Sequence, residues 1–421
     1  MVRRFISNLK FSLAPTSFFL LIVLLLNSCS MHWTKALQLG TVQDLPFNEN
    51  IQAKNKVGLL FVPVTVEGKE YLFLFDSGAP LSISQEMQNE FRFKSISSSK
   101  IVDTDNQTFK VDYIQLPELK LGNVAFQNQT AFVADFKANP ILNCLEIDGI
   151  IGSNLMRLAN WEIDIDLEKI RLSNSLDSSL LTGYTKIPFR TDRQYNIKLD
   201  IGIDTLTLRN ITLDFGSNGS LSVPEHSFDL LQKGGAISTM AVEEGWSRAG
   251  LSGNRVLQTE RIALLDSVLV GSEWLTDVKL SSGSSSLLGL KALANYSIVL
   301  DWTHRTLYLK KKVQKPADHR SLGFTLGVLN DTSFYIQTVH KYSKAEEAGL
   351  RPNLKVLSLN NLVFNKNATY CDYVALMSSM PDQMRIEFLN EEGNRMEATF
   401  MKDSLFFMPL SPSDKESPVP E

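Results

Sequence analysis

The chain has 421 residues, of which 43 % are hydrophobic and 21 % charged, and 42 Lys and Arg against 46 Asp and Glu leave a net charge of −4. At roughly 150 residues per domain the length predicts two to three domains, and the near-average composition excludes wholesale disorder, collagen-like repeats and a long coiled coil. There is no dense basic block to form a nucleic-acid footprint, and three cysteines and five histidines without a Cys-x-x-Cys or His-Glu-x-x-His pattern predict no metal site and no cofactor.

In chain order, Arg3, Arg4 and Lys10 precede an uninterrupted apolar run, Phe18 to Leu26. Such a run is too short to cross a bilayer as a helix and suits the core of a signal peptide. It ends in Leu26-Asn27-Ser28-Cys29, which resembles a bacterial lipobox. The resemblance implies that residues 1–28 are removed and that Cys29 carries a lipid anchoring the protein to a cell-envelope membrane. Ser30 is not the Asp that retains such proteins at the inner membrane, so the outer membrane, facing the periplasm, is the expected site. The alternative is a plain secreted protein with an incidental Cys29. Residues 29–55 are aperiodic and read as a tether.

From Val57 onward the texture is that of strands. Leu59–Val66 and Tyr71–Phe75 are rich in Val, Leu and Phe and are bounded by turn residues. Early helices are expected to be short, at Ser84–Phe91 and Asn154–Leu158. An internal repeat organises the chain from here to Leu309. Phe73-Leu74-Phe75-Asp76-Ser77-Gly78-Ala79-Pro80-Leu81-Ser82-Ile83 is echoed by Ile211-Thr212-Leu213-Asp214-Phe215-Gly216-Ser217, continuing to Leu221-Ser222-Val223. Downstream, Gly149-Ile150-Ile151-Gly152 is matched by Ser286-Leu287-Leu288-Gly289, and Trp161–Asp166 by Tyr296–Asp301. Asp76 to Gly152 is a step of 76 residues, and Asp214 to Gly289 one of 75. Each copy closes with a hairpin, into Lys169–Leu172 and Arg305–Leu309. Three anchors in the same order place two related lobes at 56–175 and 185–312.

An Asp-x-Gly turn after an apolar strand presents a stiffly held carboxylate, with glycine permitting the sharp turn. One such turn is unremarkable. Two, from related lobes facing each other, would bring Asp76 and Asp214 together. Close carboxyls cannot both ionise cheaply, so they share a proton. One can then take a proton from water while the other donates to a carbonyl oxygen, which is general acid–base hydrolysis without a covalent intermediate.

The segments Asp76-Ser77-Gly78-Ala79 and Gly149-Ile150-Ile151-Gly152-Ser153-Asn154-Leu155 resemble the active-site loop and following segment of retropepsin-like aspartic proteases. The second lobe resembles a fused, diverged copy. Over about 250 residues the resemblance implies a mainly β, bilobal, pepsin-like double β-barrel acting as a monomer with an intramolecular pseudo-dimer. It implies catalytic roles for Asp76 and Asp214, supported by Ser77, Gly78, Gly216 and Ser217, and a polypeptide as substrate. Ser77 would cross-link the two loops. Phe215 departs from the pattern, having no hydroxyl to return that bond, and Ser217 is the candidate to compensate by bonding Asp214. A flap is expected over Ser99–Gln115 with Asp105-Asn106 as its turn. Gly234–Leu257 would be its mobile counterpart, with Trp246 either over substrate or packed in a loop. Asp214-Phe215-Gly216 also spells a kinase tripeptide, but the other kinase motifs are absent.

Lys311–Arg320 reads as a charged linker. In 321–405, Ser321-Leu322-Gly323-Phe324 and, further on, Ala345-Glu346-Glu347-Ala348-Gly349-Leu350 resemble a PDZ domain of the bacterial protease-associated kind. This implies a carboxylate-binding loop at Leu322, Gly323 and Phe324, and a groove that takes a peptide as an added strand beside a helix at Tyr370–Ser379. A domain that only packs against the lobes is the alternative. Met384–Phe388 and Met396–Phe400 read as closing strands, and 411–421 as a disordered tail. Cys144 and Cys371 read as unpaired, and His319 and His340 as solvated. Two further functional readings stand beside the fused-lobe protease. One is an inactive peptide-binding scaffold, suggested by Phe215. The other is a homodimer pairing Asp76 with its own copy.

Overall fold

The computed structural model describes residues 32–102, 108–247, 255–313, 318–330, 333–364, 368–379, 381–405 and 407–409. Cys29 and the tail therefore lie outside the described residues. Strands dominate, and the same succession of them occurs twice.

In the first lobe, Leu59–Val66 pairs antiparallel with Lys69–Phe75, whose end delivers Asp76. Gly149–Ile151 returns parallel to 73–75 and antiparallel to Ser82–Ser84. In the second lobe, Ile197–Ile203 pairs with Leu206–Asp214, and Leu287–Gly289 lies parallel to 212–214 and antiparallel to Leu221–Pro224. The parallel contact of 82–84 with 132–134 is likewise matched by that of 221–224 with 280–283. The repeated sequence anchors thus occupy equivalent places in two equivalent pairings.

A six-stranded sheet joins the lobes, in the order 185–188, 306–311, 296–301, 160–164, 169–173, 48–52. At its centre Trp161 stands opposite Leu300 and Ile163 opposite Ile298. Alternate apolar residues of these strands face inward, so one core runs through both lobes, from Phe73 and Trp161 to Leu213 and Leu300.

The helices are short and locally encoded. Ser84 caps Gln85–Phe91 by accepting the Met87 N–H at 3.2 Å. Asn139 caps Pro140–Leu145 by accepting from Ile141 and Leu142, with proline in the first turn. Thr369 and Asp372 form a capping box at the start of Tyr370–Ser378. Among the described residues no helix is long and apolar enough to cross a membrane.

The C-terminal unit has its own core, including Phe334, Ile336, Val356, Met384 and Phe388. It contains Phe324–Asn330, Ser333–His340, Lys355–Leu359, Gln383–Leu389 and Arg395–Met401 as strands, beside the helix 370–378. It is tied to both lobes. Thr239–Ser247 of the second lobe pairs along one edge with Val256–Val270 and along the other with 338–340, making one fifteen-stranded sheet. Cys144 of the first lobe is disulfide-bonded to Cys371, with Cα atoms 5.0 Å apart. This corrects the reading of both cysteines as unpaired. A separation of 227 residues carries no information about spatial distance once the chain folds back on itself.

Two more expectations are overturned. His340 is buried, with Glu243 at 3.7 Å, and His319 bonds Asp277 at 2.7 Å with its side chain 16 % exposed. Neither is a solvated surface residue, because both sit where the C-terminal unit meets the second lobe.

Candidate active site

Asp76 and Asp214 end equivalent strands and face each other at the junction of the lobes, 8 % and 9 % exposed. The backbone carries them there. The Asp76 N–H is held by Ile151 O at 3.0 Å, and Asp214 stands level with Gly289. Each carboxyl accepts a backbone N–H from its own turn, Gly78 to Asp76 at 2.6 Å and Gly216 to Asp214 at 2.9 Å. The glycines also leave room for the opposite carboxyl. A methyl at Gly78 would lie 2.6 Å from Asp214 Cγ, and one at Gly216 would overlap the Asp76 carboxyl.

Behind the turns, Gly152 and Gly289 serve a second close approach. A methyl on Gly152 would overlap the backbone of Pro80 and Leu81, and one on Gly289 would lie 2.5 Å from Gly219 O. Asn154 reinforces the first loop, accepting the Leu81 N–H at 2.7 Å and donating to Thr130 O at 2.9 Å.

Ser77 cross-links the loops. Its hydroxyl donates to Leu213 O at 2.7 Å and accepts the Phe215 N–H at 3.1 Å. Phe215 returns no such bond. It is buried and stacks on Phe75 at 5.9 Å, and Phe75 in turn packs on Trp161 at 5.3 Å. Apolar packing between the loops thus stands where the first loop has a hydroxyl. Ser217 does not compensate through its hydroxyl, which accepts the Gly219 N–H at 3.3 Å. What reaches Asp214 from Ser217 is its backbone N–H.

Ser77→Ala removes both bonds between the loops and strands two buried backbone groups. We expect a loss of about 1–3 kcal/mol in unfolding free energy, read as a lower urea midpoint with an unchanged slope. An unaltered midpoint would show that the Phe75–Phe215 stack alone holds the loops.

Burial raises the pKa of both carboxyls. Asp76 is also drawn partly back by the N–H of Gly78 and by its bond with Asp214. Asp214 is raised well above the ordinary range by burial and then by the charge of Asp76. Such a pair favours holding one proton between its members over ionising both.

The pair lies at the floor of a cleft of about 450 Å³. Its first-lobe wall is mostly apolar: Leu74, Phe132, Leu142, Ile147 and Ile150. A hairpin of Lys94–Val102 and Thr108–Leu121 contributes Ser99, Lys100, Ile101, Val102 and Tyr113, with Ser99 bonded to Tyr113 at 2.7 Å. This is the segment expected as a flap; its turn, Asp105-Asn106, lies outside the described residues. Trp33 and Gln194 also line the cleft. No local pattern marks them, because each arrives from a segment distant in sequence.

The second-lobe counterpart is not a free flap over its described length. Strand 239–247 is paired on both edges, and Gly245 lets the backbone approach Gln337 and Thr338. Trp246 carries Arg255 on its face at 4.2 Å and does not line the cleft. Gly250 and Gly253 lie outside the described residues.

In the C-terminal unit, Leu322 and Phe324 are buried in the core. Gly323, with φ of +85°, gives its N–H to Ser321 Oγ at 3.0 Å and accepts from His340 at 2.9 Å. Along strand 324–330 the Leu326 N–H donates to Tyr373 Oη at 3.1 Å, and Tyr370 Oη reaches Leu326 O at 3.5 Å. Burial pushes the Tyr373 hydroxyl up to about 12, so it stays protonated. Among the described residues no group of three or more His, Cys, Asp or Glu is placed to hold a metal ion.

Comparison with known proteins bears on the first lobe. Residues 62–155 match the family model described as aspartyl protease, a span that includes Asp76 and stops short of Asp214. No curated protein matches the chain. Among solved structures it is similar to the aspartic proteinase from Irpex lacteus, with 16 % identity and a TM-score of 0.39, over 63 % of this chain and 98 % of that one. Residues 62–155 are thus similar in sequence to an aspartyl protease domain, and that similarity supports a protease-like, hydrolytic function.

Proposed function

We propose that the chain is an aspartic endopeptidase in which Asp76 and Asp214 activate a water molecule between them. The observation that carries this reading is the buried pair itself. Two carboxyls from equivalent turns meet at the floor of an apolar cleft, each held by a backbone N–H. The ionised member takes a proton from the water as it attacks the scissile carbonyl carbon, and the protonated member gives its proton to the carbonyl oxygen. On collapse, the acid formed in the first step protonates the leaving amine, and the other carboxylate recovers the proton from the tetrahedral hydroxyl. Because Asp76 meets Asp214 within one chain, no second copy is needed to complete the pair. The inactive-scaffold reading rests on Phe215, whose missing hydroxyl is offset by its stack on Phe75.

The C-terminal unit is assigned a positioning role rather than capture of a free C-terminus. Tyr370 and Tyr373 already bond the Leu326 groups that an added strand would use. In this reading the protein is tethered through Cys29 to the cell envelope, at the outer membrane facing the periplasm.

The test is cleavage of an unfolded protein by the chain from Ser30 onward, between pH 3 and 8. The rate should be bell-shaped, falling on the acid side as the pair takes a second proton and on the alkaline side as the last one leaves. With both groups raised from the ordinary value of 3.8, the alkaline limb lies above the usual carboxylate range. A statine-type inhibitor should stop the reaction. A rate that climbs past neutrality, or indifference to the inhibitor, overturns the proposal.

A further inference from the structure

We infer that the Cys144–Cys371 disulfide makes the C-terminal unit a strap on the substrate cleft, with the two cysteines as positioning residues for its first-lobe wall. Reversible reduction of this bond would then change substrate binding. The inference rests on the cleft being the substrate site.

The link runs through the helix Pro140–Leu145. Leu142 lines the cleft, and Cys144, one half-turn further on, is bonded to Cys371 on the helix 370–378. Ile141 packs against the core of the C-terminal unit. It also packs against the first-lobe cluster that includes Leu74, Ile147 and Ile150, which themselves line the cleft. Six residues are too few for a helix to hold its place by its own hydrogen bonds. Its C-cap, Glu146, is moreover a non-glycine residue at φ of +55°. The position of Leu142 therefore depends on tertiary contacts, and the disulfide is the covalent one among them.

The other end of the strap is fixed to the second lobe. Residues 338–340 pair with 243–245. Arg255 lies between the rings of Trp246 and Tyr335 and donates to Asn353 Oδ1 at 2.6 Å. The unit thus grips one lobe by strand pairing and the other by a bond that chemistry can open. Cys371 is exposed and accessible to a dithiol reductant. One thiolate of the reductant attacks a sulfur of the pair to give a mixed disulfide, and its second thiolate displaces the remaining cysteine. Two electrons and two protons pass to Cys144 and Cys371, and the reductant leaves as a disulfide.

The experiment compares the chain from Ser30 onward, oxidised and after dithiothreitol, with the Cys144→Ser/Cys371→Ser double variant. Thiol titration establishes that reduction is complete. For a peptide substrate, reduction should raise KM by about five-fold or more while kcat stays within about two-fold. The double variant should match the reduced protein and ignore dithiothreitol, and reoxidation of the wild type should restore KM. Amide exchange at 141–145 should quicken on reduction while the core strands 73–75 and 212–214 stay protected. An unchanged KM after complete reduction, or a double variant that still responds to dithiothreitol, overturns the inference. If the oxidised protein neither cuts nor binds a statine-type inhibitor, it is the protease proposal that fails. The strap is then decided by exchange alone, and unchanged protection at 141–145 overturns it.

Discussion

Asp214→Asn is expected to lower the rate of cleavage by about a thousand-fold while leaving a folded protein that is more stable than the wild type once the pH passes the raised values of the pair. Asn keeps the shape of the side chain and its hydrogen bond from the Gly216 N–H, so the turn survives. What it loses is the ability to share a proton with Asp76. The stability change follows from the raised pKa values of the buried pair. In the window between the ordinary value of 3.8 and the raised native values, the folded pair binds more protons than the unfolded chain. Stability therefore falls as pH rises through that window and levels off above it. The pair favours folding most at acid pH, where both groups are protonated. The variant never has to hold two buried charges, so its melting temperature should exceed that of the wild type at pH above the raised values of the pair, with the gap closing toward pH 3. Asp76→Asn should behave alike. Activity within ten-fold of wild type in Asp214→Asn would remove this residue from the mechanism and return attention to a homodimer pairing Asp76 with its copy.

Gly216→Ala should be nearly as damaging although no reacting group is altered. Its methyl would overlap the Asp76 carboxyl, just as one at Gly78 would press on Asp214. Neither glycine has a positive φ, so the requirement is space between the loops rather than backbone freedom. The carboxyls must separate or the lobes must shift. Displacements of about an ångström typically cost about a hundred-fold in rate, which is the loss expected in kcat/KM for either variant. Gly219→Ala is the control. Its methyl would meet only Ser217 Oγ at 3.3 Å, a contact a small movement relieves, and the rate should change less than about three-fold. Equal losses at Gly216 and Gly219 would show that the second loop is merely fragile and that the close approach of the two turns has no special importance.

Much of the architecture around the pair is written locally. An apolar strand followed by Asp-x-Gly is a short-range signal, and it occurs at Asp76 and again at Asp214. Ser84 before Gln85–Phe91, and Thr369 before Tyr370–Ser378 with Asp372 in that helix's first turn, mark helix starts through side-chain bonds to neighbouring backbone. Gly152 and Gly289 stand out as repeated glycines at nearly equal distances from their aspartates, although why they must be glycine is seen only in the backbone that crosses above them. Phe215 was readable as a missing hydroxyl but not as a stack on Phe75, since its partner lies in the other lobe.

By itself the sequence determined the two turns, the apolar strands that lead into them and the chemistry that paired carboxyls would allow, because each depends on residues within a few positions of one another or on side-chain type. Only the tertiary structure decided which distant segments meet. It put Trp33, Leu142 and Gln194 on the cleft, paired the strand of Trp246 with the C-terminal unit, buried His340 beside Glu243 and joined Cys144 to Cys371. The cost of closing a loop grows only slowly with its length, so sequence separation says almost nothing about which remote partners a folded chain brings into contact.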